Sequence, residues 1–179
     1  MRTPRAHRWA AITLAVGLSA AACTTTPDAP AAPAPTTASV PPMPPPAAKH
    51  DAQGATSFAT HWLDLVDYGY RTLDAGPLRG LAAPSCQACA RLTEQLDRDK
   101  AAGATYRGGR IHFRSAVPEG PPEKQTVTAL FDQDELTVLD RAGATTETVP
   151  ANRTIFVFAL DWAGTAWRTT AIKLGVENS

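Results

Sequence analysis

Two cysteines three residues apart, Cys86 and Cys89, are the residues whose type and spacing most directly suggest chemistry in this chain. A Cys-x-x-Cys pair at a helix start can act as a redox dithiol, because the helix N-terminus lowers the pKa of the first thiol. The same pair can form a structural disulfide or contribute to a metal site. Zinc needs two further ligands, and no second cysteine pair or His-x-His motif supplies them. We therefore expect no metal and no cofactor, and the choice between disulfide and redox centre depends on the compartment.

The compartment is predicted by residues 1–22, which have the pattern of an export signal. Three arginines precede a short apolar run that cannot span a bilayer, and small residues then lead to Cys23. A cysteine in this place resembles a bacterial lipobox, in which the cysteine is lipidated and becomes the mature N-terminus. A plain secretory signal is the alternative, because Ala20 stands where lipoboxes usually have leucine. Both alternatives imply an oxidising compartment, which favours a structural disulfide at Cys86 and Cys89.

Residues 23–54 are predicted to be the lipid-anchor cysteine followed by a disordered tether. Nine of the 16 prolines of the chain lie here among alanines and threonines, and large apolar residues are almost absent. Such a segment favours extended polyproline II and holds a domain away from the membrane. Residues 55–179 are then the folded domain, on the extracellular or periplasmic side of a cell membrane. Lys+Arg and Asp+Glu are both 17, so no basic excess indicates a nucleic-acid partner.

The folded domain begins with helical patterns and continues with strand patterns. An apolar stripe at helical spacing predicts a helix over 57–74, a short helical turn over 77–82 follows, and a second long helix is predicted over 86–101, capped by Ser85. Alternating residues then predict a run of strands that closes on a hairpin around 154–176. Helices followed by antiparallel strands predict an α+β fold, with two to three N-terminal helices packed on a curved antiparallel sheet.

This order of elements resembles the nuclear-transport-factor-two-like (NTF2-like), SnoaL-like or cystatin-like cone. Within that fold it is most similar to a family of uncharacterised actinobacterial lipoproteins. The features that carry the resemblance are the lipobox Cys23, the tether, the aromatic first helix, the Ser-Cys-x-x-Cys start of the next long helix at Ser85, and Gly108-Gly109 before the first strands. The resemblance implies the fold and the location of the protein but no activity.

Cones of this kind can enclose a cavity between the helices and the concave face of the sheet. The candidate lining residues of such a pocket are Trp62, Tyr70, His112, Arg114 and Trp167. For Trp62 and Trp167 we favour the alternative that they are core or rim aromatics. His61, Asp64 and Tyr68 are expected to be solvated, because they share the less apolar face of their helix. No nucleophile elbow, phosphate loop or metal-binding helix motif is present, and no catalytic residue is assigned.

Two functional hypotheses remain open on the sequence. In the first, the domain is a non-enzymatic module that binds a small apolar ligand or another envelope protein, while the N-terminal lipid binds the membrane. In the second, the domain is a hydrolase or isomerase that uses the cone pocket. A deep cavity with a buried carboxylate or histidine would favour the enzyme, whereas a filled cone with an exposed apolar rim would favour the binding module.

Overall fold

A computed structural model describes residues 38–175 of the chain. A 3-10 turn at Pro45–Ala48 is followed by three helices, α1 (Ala52–Thr72), α2 (Gly76–Leu81) and α3 (Gln87–Ala102). The strands that follow are β1 (Thr105–Gly108), β2 (Ile111–Glu119), β3 (Lys124–Gln133), β4 (Leu136–Leu139), β5 (Thr145–Val149), β6 (Asn152–Trp162) and β7 (Trp167–Leu174). The predicted α+β class, with N-terminal helices packed on antiparallel strands, is confirmed.

The strands form two antiparallel sheets, whereas a single curved sheet was predicted. The larger sheet has the order β2-β3-β6-β7 and the smaller one the order β1-β4-β5. Strands β1 and β2 follow each other along one arm of a long hairpin, and β3 and β4 along the other arm. The β2–β3 part of this hairpin belongs to the larger sheet and the β1–β4 part to the smaller sheet. Gly108 has a φ of +77°, and a side chain there would clash with the carbonyl oxygen of Glu135. The two adjacent glycines therefore allow the change of direction that separates the sheets.

Helix α1 lies against the sheets and supplies much of the core. Its apolar stripe buries Phe58, Trp62, Leu65 and Val66, each no more than 3% exposed. The facing side of the larger sheet contributes alternate residues of β3 and β6: Val127, Ala129, Phe131, Phe158 and Leu160. Burying each large apolar side chain contributes about 1.5–3 kcal/mol, so this layer dominates the stability of the domain.

The folded part begins earlier than the predicted boundary at residue 55. Asp51 caps α1, and its carboxylate accepts a hydrogen bond from the Gly54 amide at 2.7 Å. The 3-10 turn packs on α1 and buries Ala47. The end of the predicted tether is therefore ordered despite its many prolines, because proline also suits the first positions of a helical turn.

Helix α3 is capped by Cys86, although Ser85 was predicted. The Cys86 sulfur accepts the Cys89 amide at 3.3 Å, whereas the Ser85 hydroxyl donates to the Thr170 carbonyl at 3.3 Å. At the other end Gly103, with a φ of +75°, ends the helix as predicted.

Candidate ligand-binding groove

The disulfide lies at the start of α3, where the connection from α2 meets strand β7. The sulfurs of Cys86 and Cys89 are 2.05 Å apart, and the two residues are 1% and 2% exposed. The Ala83 amide donates to the Thr169 carbonyl at 2.9 Å, which ties the same connection to β7. Burial of both sulfurs limits access by another thiol, so this geometry favours a structural link over thiol exchange.

The five predicted pocket residues do not meet in one place. Trp62 and Tyr70 line one cavity, His112 and Arg114 lie in a charged patch on the strands, and Trp167 is buried at the turn of the β6–β7 hairpin. The prediction of one shared pocket is therefore wrong. His112 and Arg114 lie on β2, which is at the opposite edge of the larger sheet from β7 and Trp167. In addition, a register shift in β2 between Phe113 and Ser115 breaks the simple alternation of faces.

The charged patch consists of ion pairs that satisfy one another. Arg114 and Arg153 both bind the carboxylate of Asp132, at 2.7 and 2.8 Å, and His112 contacts Asp134 at 3.1 Å. Hydrogen bonds from Arg153 and Arg114 lower the pKa of Asp132 to about 2. The side chains are largely exposed, and this arrangement needs no ligand to explain it.

The turn end of the β6–β7 hairpin is sealed by the segment that precedes α1. The Trp167 indole nitrogen donates to the Lys49 carbonyl at 2.9 Å. The His50 ring stacks on Trp162, with centroids 4.6 Å apart and planes 12° apart, and meets Trp167 edge-on at 6.0 Å. We call this region, Ala47 to His50 with both tryptophans, the sealed end. Its two tryptophans are covered by His50 and by the backbone of Lys49.

The other end of the same hairpin borders an open cavity of about 490 Å³ between α1, α3, β6 and β7. Such a volume lies within the range of about 300–1,000 Å³ of ligand pockets. We call this cavity the groove. The residues that line it are Trp62, Val66, Tyr70, Ala88, Arg91, Leu92, Phe156, Ile172, Lys173 and Leu174. Most are apolar, and Leu174 at the mouth is 77% exposed.

Tyr70 and Leu92 separate the groove from a neighbouring cavity of about 300 Å³. That second cavity lies between α3 and the smaller sheet and includes Gln95 and Glu147 in its lining. Burial raises the pKa of Tyr70, so its hydroxyl stays protonated over a wide pH range. Tyr106 packs 5.9 Å from Tyr70, and its hydroxyl donates to Asp99 of α3.

The cavities extend beneath α3 because this helix buries little of its own surface. Only Cys89, Thr93 and Leu96 of its described residues are buried. Its first turn is held by the disulfide and β7, and its last turn by the contact between Asp99 and Tyr106. Between these residues Leu96 is buried and Asp97 pairs with Arg79 of α2, whereas the half-buried Leu92 borders open space.

The histidines and carboxylates needed for acid–base catalysis lie away from the groove. His61 and Tyr68 are buried at 4% and 6% exposure, so the prediction that they are solvated is wrong, whereas Asp64 is exposed. Neither His61 nor His112 lines the groove, and among the described lining residues none is an acid. Within residues 38–175 no group of three His, Cys, Asp or Glu is placed to hold a metal ion. No helix in this part of the chain is long and apolar enough to cross a membrane.

Two buried polar residues with structural roles, Asp67 and Gln125, were not predicted from the sequence. Asp67, 7% exposed, accepts the Ile111 amide at 3.2 Å and pairs with Arg71 and Arg110, which links α1 to the start of β2. Gln125, 2% exposed, donates to the Gly120 and Pro121 carbonyls and fixes the β2–β3 loop. The i,i+4 spacing of Asp67 and Arg71 is a local signal for their ion pair. No local signal marks the contacts of Asp67 with Ile111 and Arg110 or of Gln125 with the loop carbonyls, because those partners are distant or belong to the backbone.

Comparison with known proteins gives a family match and a set of structural likenesses. A model of a family of unknown function, DUF6318, matches residues 25–173. A search of curated proteins found no match. Among solved structures, the intermembrane space region of the chloroplast protein ARC6 is 12% identical, with a TM-score of 0.54 over 71% of this chain and 98% of that one. This likeness shows the fold alone.

Two bacterial structures are similar at lower scores. An uncharacterised protein with a cystatin-like fold from Caulobacter vibrioides has 10% identity and a TM-score of 0.44, covering 67% of this chain and 87% of that one. An NTF2-like superfamily protein from Salmonella enterica has 12% identity and a TM-score of 0.42, covering 68% and 90%. The predicted relation to a family of unknown function is confirmed by the DUF6318 match. The actinobacterial and lipoprotein character stays a prediction.

Proposed function

We propose a function for this chain, which belongs to the DUF6318 family of unknown function, from the chemistry of its groove. The domain is a non-enzymatic module that binds a small apolar ligand. The observation that carries this proposal is the open, largely apolar cavity of about 490 Å³ between α1, α3 and the β6–β7 hairpin. An apolar cavity of this size with an exposed apolar mouth is favourable for a ligand that leaves water.

The polar content of the groove supports binding rather than turnover. The only ionisable groups among its described lining residues are Tyr70, Arg91 and Lys173. Burial raises the pKa of Tyr70, which makes it a poor base near neutral pH. A hydrolase or isomerase would need a base with a pKa near the working pH, and the histidines of the described part do not reach this cavity.

The binding proposal is tested with a neutral fluorescent probe, N-phenyl-1-naphthylamine, added to the full chain carrying Cys23→Ala, which cannot be lipidated. We expect saturable fluorescence enhancement at one site. Ala88→Phe, which places a ring at the groove, should abolish it, whereas Ala101→Phe on the exposed end of the same helix should leave it unchanged. Equal enhancement in both variants would contradict the assignment of the groove as the site. Mass spectrometry of material copurified with the wild-type chain then identifies a natural ligand.

We also propose that the domain is presented outside a cell membrane by a lipid on Cys23. The support is the export pattern of residues 1–22 and the small residues before the cysteine, all of which lie outside the described residues. A single acyl chain gives marginal membrane binding, so a lipoprotein needs the multiple chains that an N-terminal lipidated cysteine carries. Replacement of Cys23 by alanine should release the protein from the membrane fraction. Unchanged membrane retention of that variant would overturn the anchor.

A further inference from the structure

The mouth of the groove is basic on both sides. Arg91 of α3 and Lys173 of β7 line the cavity from opposite elements, and both are exposed. Among residues 38–175 neither forms an ion pair, in contrast to Arg79 and Arg98 outside the groove lining, which pair with Asp97 and Glu94. Within the described part of the chain, two cations without acidic partners therefore border an apolar cavity.

The rest of the cavity wall determines where a charged group can lie. No lysine or arginine belongs to the inner wall formed by Trp62, Val66, Phe156 and Ile172. An anion buried there would be unpaired, which is costly in an apolar environment. The neighbouring cavity beyond Tyr70 has Glu147 in its lining and also disfavours an anion. A negative group is thus favoured at the mouth, and an apolar tail is favoured within.

The two cations differ in how directly they face the groove. Arg91 lies one residue before Leu92 and three after Ala88, all on the side of α3 that lines the cavity. Lys173 pairs with Val157 in the β6–β7 register, whereas the neighbouring Ile172 and Leu174 pair with Phe158 and Phe156. Since cross-strand partners share a face, the Lys173 side chain starts on the opposite face and reaches the mouth around the edge strand. Arg91 is the principal partner and Lys173 the weaker one.

We propose that the groove binds a single-chain amphiphile with an anionic head group, of the fatty-acid class, with its tail among the apolar wall residues and its head beside Arg91 and Lys173. This assignment rests on the proposed binding function and deepens it by naming the ligand class. The carboxylate of such a ligand receives charge-assisted hydrogen bonds from Arg91, and the tail replaces water along α1 and β6.

The test compares dodecanoate with dodecanol, which has the same chain and a neutral head, as competitors of the bound neutral probe at low salt. We expect dodecanoate to bind about fivefold more tightly, the upper range for an exposed ion pair. Arg91→Gln should remove most of this preference, Lys173→Gln a smaller part, and the double variant all of it. Arg98→Gln, two turns along α3 from Arg91 and outside the groove lining, is the matched control and should keep the preference. Decanoate should bind up to about 15-fold more weakly than dodecanoate, since two methylenes are lost.

The outcomes separate the ligand class from the function on which it rests. Equal affinity for dodecanol and dodecanoate in the wild-type chain would overturn the anionic head group while leaving the apolar binding function intact. A preference for dodecanoate that survives the double variant would overturn the roles of Arg91 and Lys173. If neither compound displaces the bound probe, this inference is wrong while the apolar binding function, which the probe itself tests, stands; if the probe does not bind, both are wrong. Raising the salt concentration should weaken the preference for dodecanoate without changing dodecanol binding.

Discussion

The two ends of the β6–β7 hairpin are built from similar residues and differ in what fills them. At the turn end, Trp162 and Trp167 are covered by His50 and by the Lys49 carbonyl. At the open end, Phe156 pairs across the strands with Leu174, which is 77% exposed and borders the groove. Aromatic and aliphatic side chains on one hairpin therefore form core where residues 47–50 cover them, and the wall of an open groove where no described residue covers them.

The largest effect is expected at the sealed end, from Trp167→Ala. The residue is 1% exposed, and the substitution removes a buried ring and the hydrogen bond to Lys49. The free energy of unfolding should fall by about 3–5 kcal/mol in denaturant titration. Trp162→Ala, at a half-buried position, is the control and should cost less. A loss below about 1 kcal/mol for Trp167→Ala would mean that this end is not packed as described.

A pair of leucine truncations compares packed core with groove wall directly. Leu63 on α1 is 1% exposed, whereas Leu92 on α3 is half-buried and borders both cavities. Leu63→Ala should lower the free energy of unfolding by about 2–5 kcal/mol. Leu92→Ala should cost clearly less, because its neighbours already include open space, but it should weaken binding of the apolar probe. Equal stability losses would indicate that the groove is closed in solution.

Replacing both disulfide cysteines by serine should have a smaller effect. The closed loop is short, so the lost stabilisation should lie at or below the lower end of about 2–4 kcal/mol. Faster amide hydrogen exchange should be confined to the start of α3 and to the connection that Ala83 ties to Thr169. Faster exchange throughout the larger sheet would show instead that the disulfide holds the whole domain.

The smallest predicted effect is on pH dependence, through His61. Burial lowers the pKa of this histidine below its ordinary value of 6.5, with nearby Asp64 acting in the opposite direction. The unfolded chain therefore takes up a proton near pH 6.5 that the folded chain does not, and stability falls as the pH drops from 6.5 toward the folded pKa. His61→Gln should flatten the part of the stability profile that begins at about pH 6.5 and extends to lower pH. An unchanged slope would show that His61 does not contribute to it.

Elements with a clear period could be predicted from the sequence. The stripe through Phe58, Trp62 and Val66 predicted α1, and Gly103 predicted the end of α3. The early start of α1 was missed, because Asp51 follows a run of prolines that favoured a disordered tether. The capping role of Cys86 was missed because serine is the commoner cap and the disulfide changes the local geometry.

The candidate site was only partly predictable, because it depends on tertiary packing. Trp62 and Tyr70 both line the groove, since both follow the inward stripe of α1. Arg91 was missed, because an exposed arginine on a helix gives no signal of which cavity lies beside it. Trp167 was assigned to the pocket, but only the structure shows Lys49 returning to cover it.

The most direct test of the contrast between the two ends is methyl NMR of the chain during titration with dodecanoate. The methyl groups of Leu92, Ile172 and Leu174 should shift in a saturable manner, because they line the groove. Those of Leu63 and Ala47, in the packed part of the fold, should stay in place. Shifts confined to the groove methyls are the result that this account predicts. No shifts, or shifts of equal size in both groups, would contradict it.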